Sequence, residues 1–182
     1  GLSVYVCIKI KSKGGTKMIR SVRLSDAEAI ARIYNYYVKE TTVTFETEAI
    51  NKEEMENRIT DTLKHGYPFI VHEEGGAVTG YAYVRKWRDR ISYNNTLETS
   101  IYVDKDKKTK GTGKKLYNTL IERCRESGVH VLIGVLSHTN TASKRLHKKT
   151  GFEKTGYFKE AANKFGKFID VEFWSLILKT AG

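Results

Sequence analysis

Between residues 96 and 136 a strand, a basic turn with two glycines, a helix and a nearly continuous apolar run follow one another without interruption. Residues 96–104 alternate, which places Leu97, Thr99, Ile101 and Val103 on one face and Glu98, Ser100, Tyr102 and Asp104 on the other. From Gly111 to about Ser127 the period is helical: Leu116, Leu120, Ile121 and Cys124 form one stripe, and Gly128 stands beyond the end. Residues 129–136 then suit a strand covered on both faces. Such a segment needs a sheet with helices packed on it.

The flanks fit the same plan. A short strand over residues 19–24 leads into Ser25 and Glu28, which are placed to cap a helix whose buried face is Ile30, Ile33, Tyr34 and Tyr37. A second helix spans about residues 51–65, with Met55, Ile59 and Leu63 as its stripe and Gly66 as its stop. Residues 67–72 and 77–85 read as strands joined by a Glu-Glu-Gly-Gly turn. A short helix over residues 140–149 and strands near 152–159 and 167–179 complete the chain. Hairpins come first and helices alternate with strands later, so the expected fold is α/β, one mixed sheet flanked by helices.

With 182 residues, 40% of them hydrophobic, and a single proline, the chain suits one compact domain. Residues 1–17 look separable. Lysines follow the apolar residues 4–8, whereas a secretory signal puts its basic region first. Met18 is therefore read as the natural start, with residues 1–17 a leader and 18–182 the domain; an extra edge strand is the rival reading. Cys7 and Cys124 are the only cysteines and are far apart, which favours a reducing compartment, the cytoplasm, over a disulfide framework or a zinc site. No apolar run approaches the roughly 20 residues that span a bilayer. The net charge of +11 attracts polyanions: nucleic acid, an acidic surface or a phosphorylated cofactor.

The sharpest local feature is the turn Lys108, Thr109, Lys110, Gly111, Thr112, Gly113 and Lys114, set between a strand and a helix. Glycines let backbone approach a ligand, and free amides at a helix start hold phosphate oxygens. A solvated lysine turn is the plainer reading. Neither the P-loop nor the dinucleotide-binding pattern fits, since Lys108, Lys115 and Leu116 stand where those motifs need other residues. The turn instead resembles the pyrophosphate-binding Gln/Arg-x-x-Gly-x-Gly/Ala motif of GNAT acetyltransferases, with Lys108 departing from its first position. The resemblance runs from about Met18 to Leu178 and is nearest to the phosphinothricin and methionine-derivative acetyltransferases. It is carried by the segments Thr-Thr-Val-Thr-Phe ending at Phe45, Lys86-Trp87-Arg88, residues 97–103, residues 140–147 with Gly151-Phe152, and Lys164 to Phe168.

That resemblance implies a splayed, mostly antiparallel mixed sheet, acetyl-CoA as cosubstrate, no metal, and a homodimer. It implies that Glu98 takes the proton from an attacking amine, its other reading being substrate orientation or a structural ion pair. Amides around Tyr102 and Val103, the turn residues 108–114, Asn140 and Ser143 would hold acetyl-CoA, although Asn140 also suits a helix cap. His147 is either a proton donor for the departing thiolate or a packing histidine. Arg88 would grip the acceptor's carboxylate, a task guanidinium suits, or else is an exposed loop charge. Phe45 would wall the acceptor pocket, with Trp87, Tyr93, Lys164 and Phe165 as weaker candidates. The expected activity is acetyl transfer to the amino group of a small amino-acid-like acceptor such as phosphinothricin or methionine sulfoximine. The alternatives are a different amine or peptide terminus, or a noncatalytic module binding nucleic acid or another polyanion; no RNA-binding signature accompanies the lysines.

Overall fold

Two glycines in left-handed conformation, Gly75 (φ 59°) and Gly76 (φ 81°), fold the first long hairpin. They join β3 (Phe69–Glu74) to β4 (Ala77–Lys86) with the positive φ pair that matches strand twist. The computed structural model describes residues 10–12, 15–107 and 109–179. Its other elements are β1 (Ile10–Ser12), β2 (Gly15–Ser21), α1 (Ala27–Glu40), α2 (Lys52–Lys64), β5 (Thr96–Val103), α3 (Thr112–Glu126), β6 (Val131–Ser137), α4 (Thr141–Lys149), β7 (Glu153–Lys164) and β8 (Lys167–Ile177). They form one sheet in the order β1-β2-β3-β4-β5-β6-β8-β7. Apart from the three-residue β1, it is a seven-stranded mixed sheet, antiparallel except where β5 meets β6.

Strand alternation sorts the core onto two faces. Phe69, Val71 and Tyr81 pack with Ile30, Val38 and Ile59 of α1 and α2. Ile70, Ala82, Val84 and Leu97 pack with Leu116, Leu120 and Cys124 of α3. Each of the larger aliphatic or phenyl side chains removed from water contributes about 1.5–3 kcal/mol, so the sheet is clamped from both sides.

Three local expectations need correction. The helix start does not use Ser25 and Glu28. Asp26 ends a short 3-10 turn, accepts the Arg23 amide at 2.7 Å, and takes two hydrogen bonds from Arg20 at 2.8 and 2.9 Å. An acid held by a guanidinium and an amide outcompetes a neutral hydroxyl. Leu63 is exposed, and Thr62 takes the buried place on α2. The first strand begins earlier than read: β2 runs through Met18, and Lys17 pairs with Glu74 at 3.0 Å. Residues 10–12 and 15–17 thus belong to an edge hairpin; residues 1–9, Cys7 among them, and 13–14 lie outside the described residues.

The feature that positions the site is the junction of β5 and β6. These strands pair in parallel at three positions only, Thr96 with Val131, Leu97 with Leu132 and Glu98 with Ile133. Beyond them β5 continues beside β4 as far as Val103, while β6 continues beside β8 as far as Ser137. The two strands diverge, and the backbone groups of β5 on that side lose their ladder.

Candidate active site

A cavity of about 760 Å³ opens where the strands part. At its apex a chain of buried polar groups ties the layers together. The Thr99 hydroxyl lies 3.3 Å from the Ile133 carbonyl and 2.7 Å from the Tyr117 hydroxyl, which lies 2.9 Å from Nε2 of His147. Nδ1 of His147 is 2.8 Å from the Ser143 carbonyl. A carbonyl only accepts, so Nδ1 carries the proton and Nε2 receives the Tyr117 hydroxyl. Burial pushes the imidazole pKa down to about 4, so the ring is neutral. Gly134 makes room for it: a Cβ there would lie 2.4 Å from Nε2.

Glu98 projects from β5 into the cavity, its side chain 15% exposed, and Oε1 accepts from Nη2 of Arg85 at 2.7 Å. Trp87 and Arg88 follow β4 along the same wall. The Arg88 guanidinium lies 4.5 Å from the Trp87 ring centroid, and the indole meets Phe173 edge-on at 5.7 Å. Arg88 has no ion pair among the described residues. Phe45, Tyr102, Val103, Asn140, Ser143 and His147 also line the space. Asn140 caps α4, its Oδ1 accepting the Ser143 amide at 3.1 Å. The Tyr37 hydroxyl donates to the Val103 carbonyl, so α1 holds the end of β5.

The glycine turn abuts this space. Gly111 starts α3 at φ 89°, a conformation that side chains resist. A Cβ on Gly113 would lie 4.0 Å from Val103 and 3.7 Å from Leu146, both on the cavity wall. The first amides of a helix have no partner within it, and here they stand among Lys110, Lys114 and Lys115. Thr109, Lys110, Gly111, Thr112, Gly113 and Lys114 are all described; Lys108 lies outside the described residues.

Three expected acceptor-side residues do not line this cavity. Lys164 is buried, its Nζ donating to the Thr44 carbonyl at 2.8 Å and the Tyr37 carbonyl at 3.4 Å. It therefore ties the β7–β8 hairpin to the end of α1 and the loop after it, and presents no charge to the cavity. Phe165, in the hairpin turn, lines an adjoining depression that shares Thr41, Val43, Asn140 and Ala142 with the cavity. Tyr93 sits in a 3-10 turn away from the cavity lining. Conversely, Arg85, Tyr83 and Glu46 line the cavity without having been singled out. The signal for Arg85 was hairpin register, which sets it directly opposite Glu98.

Residues 19–173 match the family described as the acetyltransferase (GNAT) domain. The chain is 38% identical over 164 residues to the L-amino acid N-acyltransferase MnaT of Escherichia coli, covering 88% of this chain and 93% of that one. It is 34% identical over 161 residues to the L-methionine sulfoximine/L-methionine sulfone acetyltransferase of Pseudomonas aeruginosa, covering 88% and 94%. A GNAT superfamily phosphinothricin acetyltransferase from Sinorhizobium meliloti, solved in complex with acetyl-CoA, superposes with a TM-score of 0.85 at 33% identity over 89% of this chain and 88% of that one. A forked sheet, a glycine-started helix at the fork's edge and a match spanning both make this chain a GNAT N-acetyltransferase of the phosphinothricin acetyltransferase-like kind.

Proposed function

We propose that the protein transfers the acetyl group of acetyl-CoA to the amino group of a small amino-acid-like acceptor, with phosphinothricin and methionine sulfoximine as the leading candidates and detoxification as the cellular role. The observation that carries this reading is the convergence, in one cavity, of unladdered β5 backbone, a carboxylate and a guanidinium with no ion pair among the described residues. The donor set fits acetyl-CoA. Amides around Tyr102 and Val103 suit its amide-bearing arm, and the start of α3 with its lysines suits the pyrophosphate. Asn140 and Ser143 stand on the opposite wall of the fork.

In the proposed reaction the amine nitrogen bonds to the thioester carbonyl carbon while the carbon–sulfur bond breaks. The amine's proton passes to Glu98, directly or through one water, and the thiolate takes a proton from solvent. A β5 amide donor stabilises the negative charge that builds on the carbonyl oxygen. Arg88 binds the acceptor carboxylate, with Phe45 and Trp87 as the apolar wall. We assign His147 a positioning role, because Tyr117 and the Ser143 carbonyl occupy both ring nitrogens.

A homodimer belongs to the same reading: Phe158 and Phe168 are exposed on β7 and β8, and a second copy would cover them. So does a reducing compartment, since Cys124 is a buried free thiol. No described helix is long and apolar enough to cross a membrane.

The test is thiol release from acetyl-CoA across phosphinothricin, methionine sulfoximine, ordinary amino acids, a polyamine and a short peptide, with products identified by mass. Acetylated amino-acid analogues are the expected products. Turnover confined to the polyamine or peptide, or none at all, overturns the proposal.

A further inference from the structure

Arg85 and Glu98 form an asymmetric pair. They face each other across the β4–β5 ladder, yet the acid is 15% exposed and the guanidinium 58% exposed. The contact uses one N–H, from Nη2 to Oε1 at 2.7 Å. No described residue occupies Oε2. A pair serving only to lock two strands would gain from a two-point clasp, the geometry in which arginine and carboxylate bind most firmly. This arrangement fixes the carboxylate by one oxygen and leaves the other open to the cavity.

Charge gives the arrangement a second consequence. An amine enters mostly as ammonium, which has no lone pair with which to attack, and a bare carboxylate beside it stabilises that inactive form. The other charged or titratable groups on the cavity wall are Arg88 beyond β4, Glu46 after α1, His147 on α4 and tyrosines of α1, β4 and β5. Glu46 is held by two hydrogen bonds from Arg58, at 2.7 and 3.2 Å. His147 and the buried tyrosines are neutral. Among the described residues, Arg85 is thus the one cation in direct contact with Glu98.

We propose that Arg85 is a positioning residue for the transfer: it holds Glu98 by Oε1, leaves Oε2 to the acceptor nitrogen, and opposes the ammonium form of the bound acceptor. This rests on the reading of Glu98 as the base.

The experiment compares Arg85→Met and Arg85→Lys with the unaltered protein, using its best amino-acid acceptor and a full pH profile of kcat. Arg85 is exposed, so both variants are expected to fold, and circular dichroism checks this. In Arg85→Met, kcat falls about 10- to 100-fold while the acceptor KM is unchanged or lower, because a misplaced base costs rate and a bare carboxylate binds ammonium better. The acidic limb of the kcat profile moves to higher pH, because the cation that opposes the ammonium form of the bound acceptor is gone. Arg85→Lys restores the limb and only part of kcat, since a point charge lacks the planar fork. An Arg85→Met enzyme with unchanged kcat and profile overturns the proposal. So does a loss confined to KM, which would make Arg85 a group that binds the acceptor. An unaltered protein that acetylates no amino acid overturns this inference together with the reading beneath it; an active one indifferent to Arg85 overturns the inference alone.

Discussion

Glu98 and Glu172 stand on strands separated only by β6, both drawn back from solvent, and they are held in opposite ways. Glu172 is held through both oxygens. Its Oε1 accepts from Nδ1 of His138 at 2.6 Å and from Lys154 at 3.1 Å, with Lys144 at 3.6 Å, and its Oε2 accepts from the Trp174 indole at 2.9 Å. These partners outweigh its burial and hold its pKa down to about 2. Among the described residues, Glu98 has one partner and one open oxygen. A carboxylate held by several donors and cations resists taking a proton; one held at a single point keeps its geometry and an open oxygen.

The sharpest way to break this contrast is to neutralise each acid in turn. Glu98→Gln is expected to lower kcat by about 10²- to 10⁴-fold, the usual yield of a general base, while acetyl-CoA binding measured by calorimetry stays near its original value. Unchanged turnover would remove Glu98 from the chemistry. The next effect separates both acids from His147, a third buried ionisable group. Its folded pKa of about 4 lies below the ordinary 6.5, so its contribution to stability is present above pH 6.5 and is lost as pH falls toward 4. Thermal unfolding should show a loss of roughly 3 kcal/mol across that window, absent in His147→Gln. Glu172→Gln should cost about 1–2 kcal/mol of stability at pH 7, less than its full pKa shift implies because its cations reach solvent. Its contribution is lost as pH falls from about 4.5 toward 2, and kcat is expected to hold near its starting value. Lys154→Met should be the mildest change, below about 1 kcal/mol in a denaturant titration, because the hydrogen bonds from His138 and Trp174 and the Lys144 ion pair remain on Glu172. A larger loss would mean that the cluster acts as one unit.

Local periodicity carried most of the fold. The hairpin over β3 and β4 was legible from alternation and a Gly-Gly turn, and α3 from its apolar stripe and the glycines at both ends. At the cavity, alternation placed Glu98 on the polar face of its strand, whereas Arg88 was named on the family resemblance; both line the cavity, and what each does there belongs to the proposed reaction. What escaped was whatever depends on distant partners. Arg85 needed the register of a hairpin closed by a nine-residue connection between Lys86 and Thr96. Lys164 looked like a free cation because the carbonyls it binds lie about 120 residues earlier. The Ser25 cap failed because Arg20 on the preceding strand had already engaged Asp26.

In the proposed reaction, the fork between β5 and β6 divides the two halves by the material that would read each. Acetyl-CoA would be recognised mainly by main-chain amides, which almost any substitution leaves in place. The acceptor would be recognised by side chains at the end of β4 and in the loop after α1, positions that mutate without disturbing the ladder. On that reading, a change of amine and a change of acyl donor would not share the same mutational target.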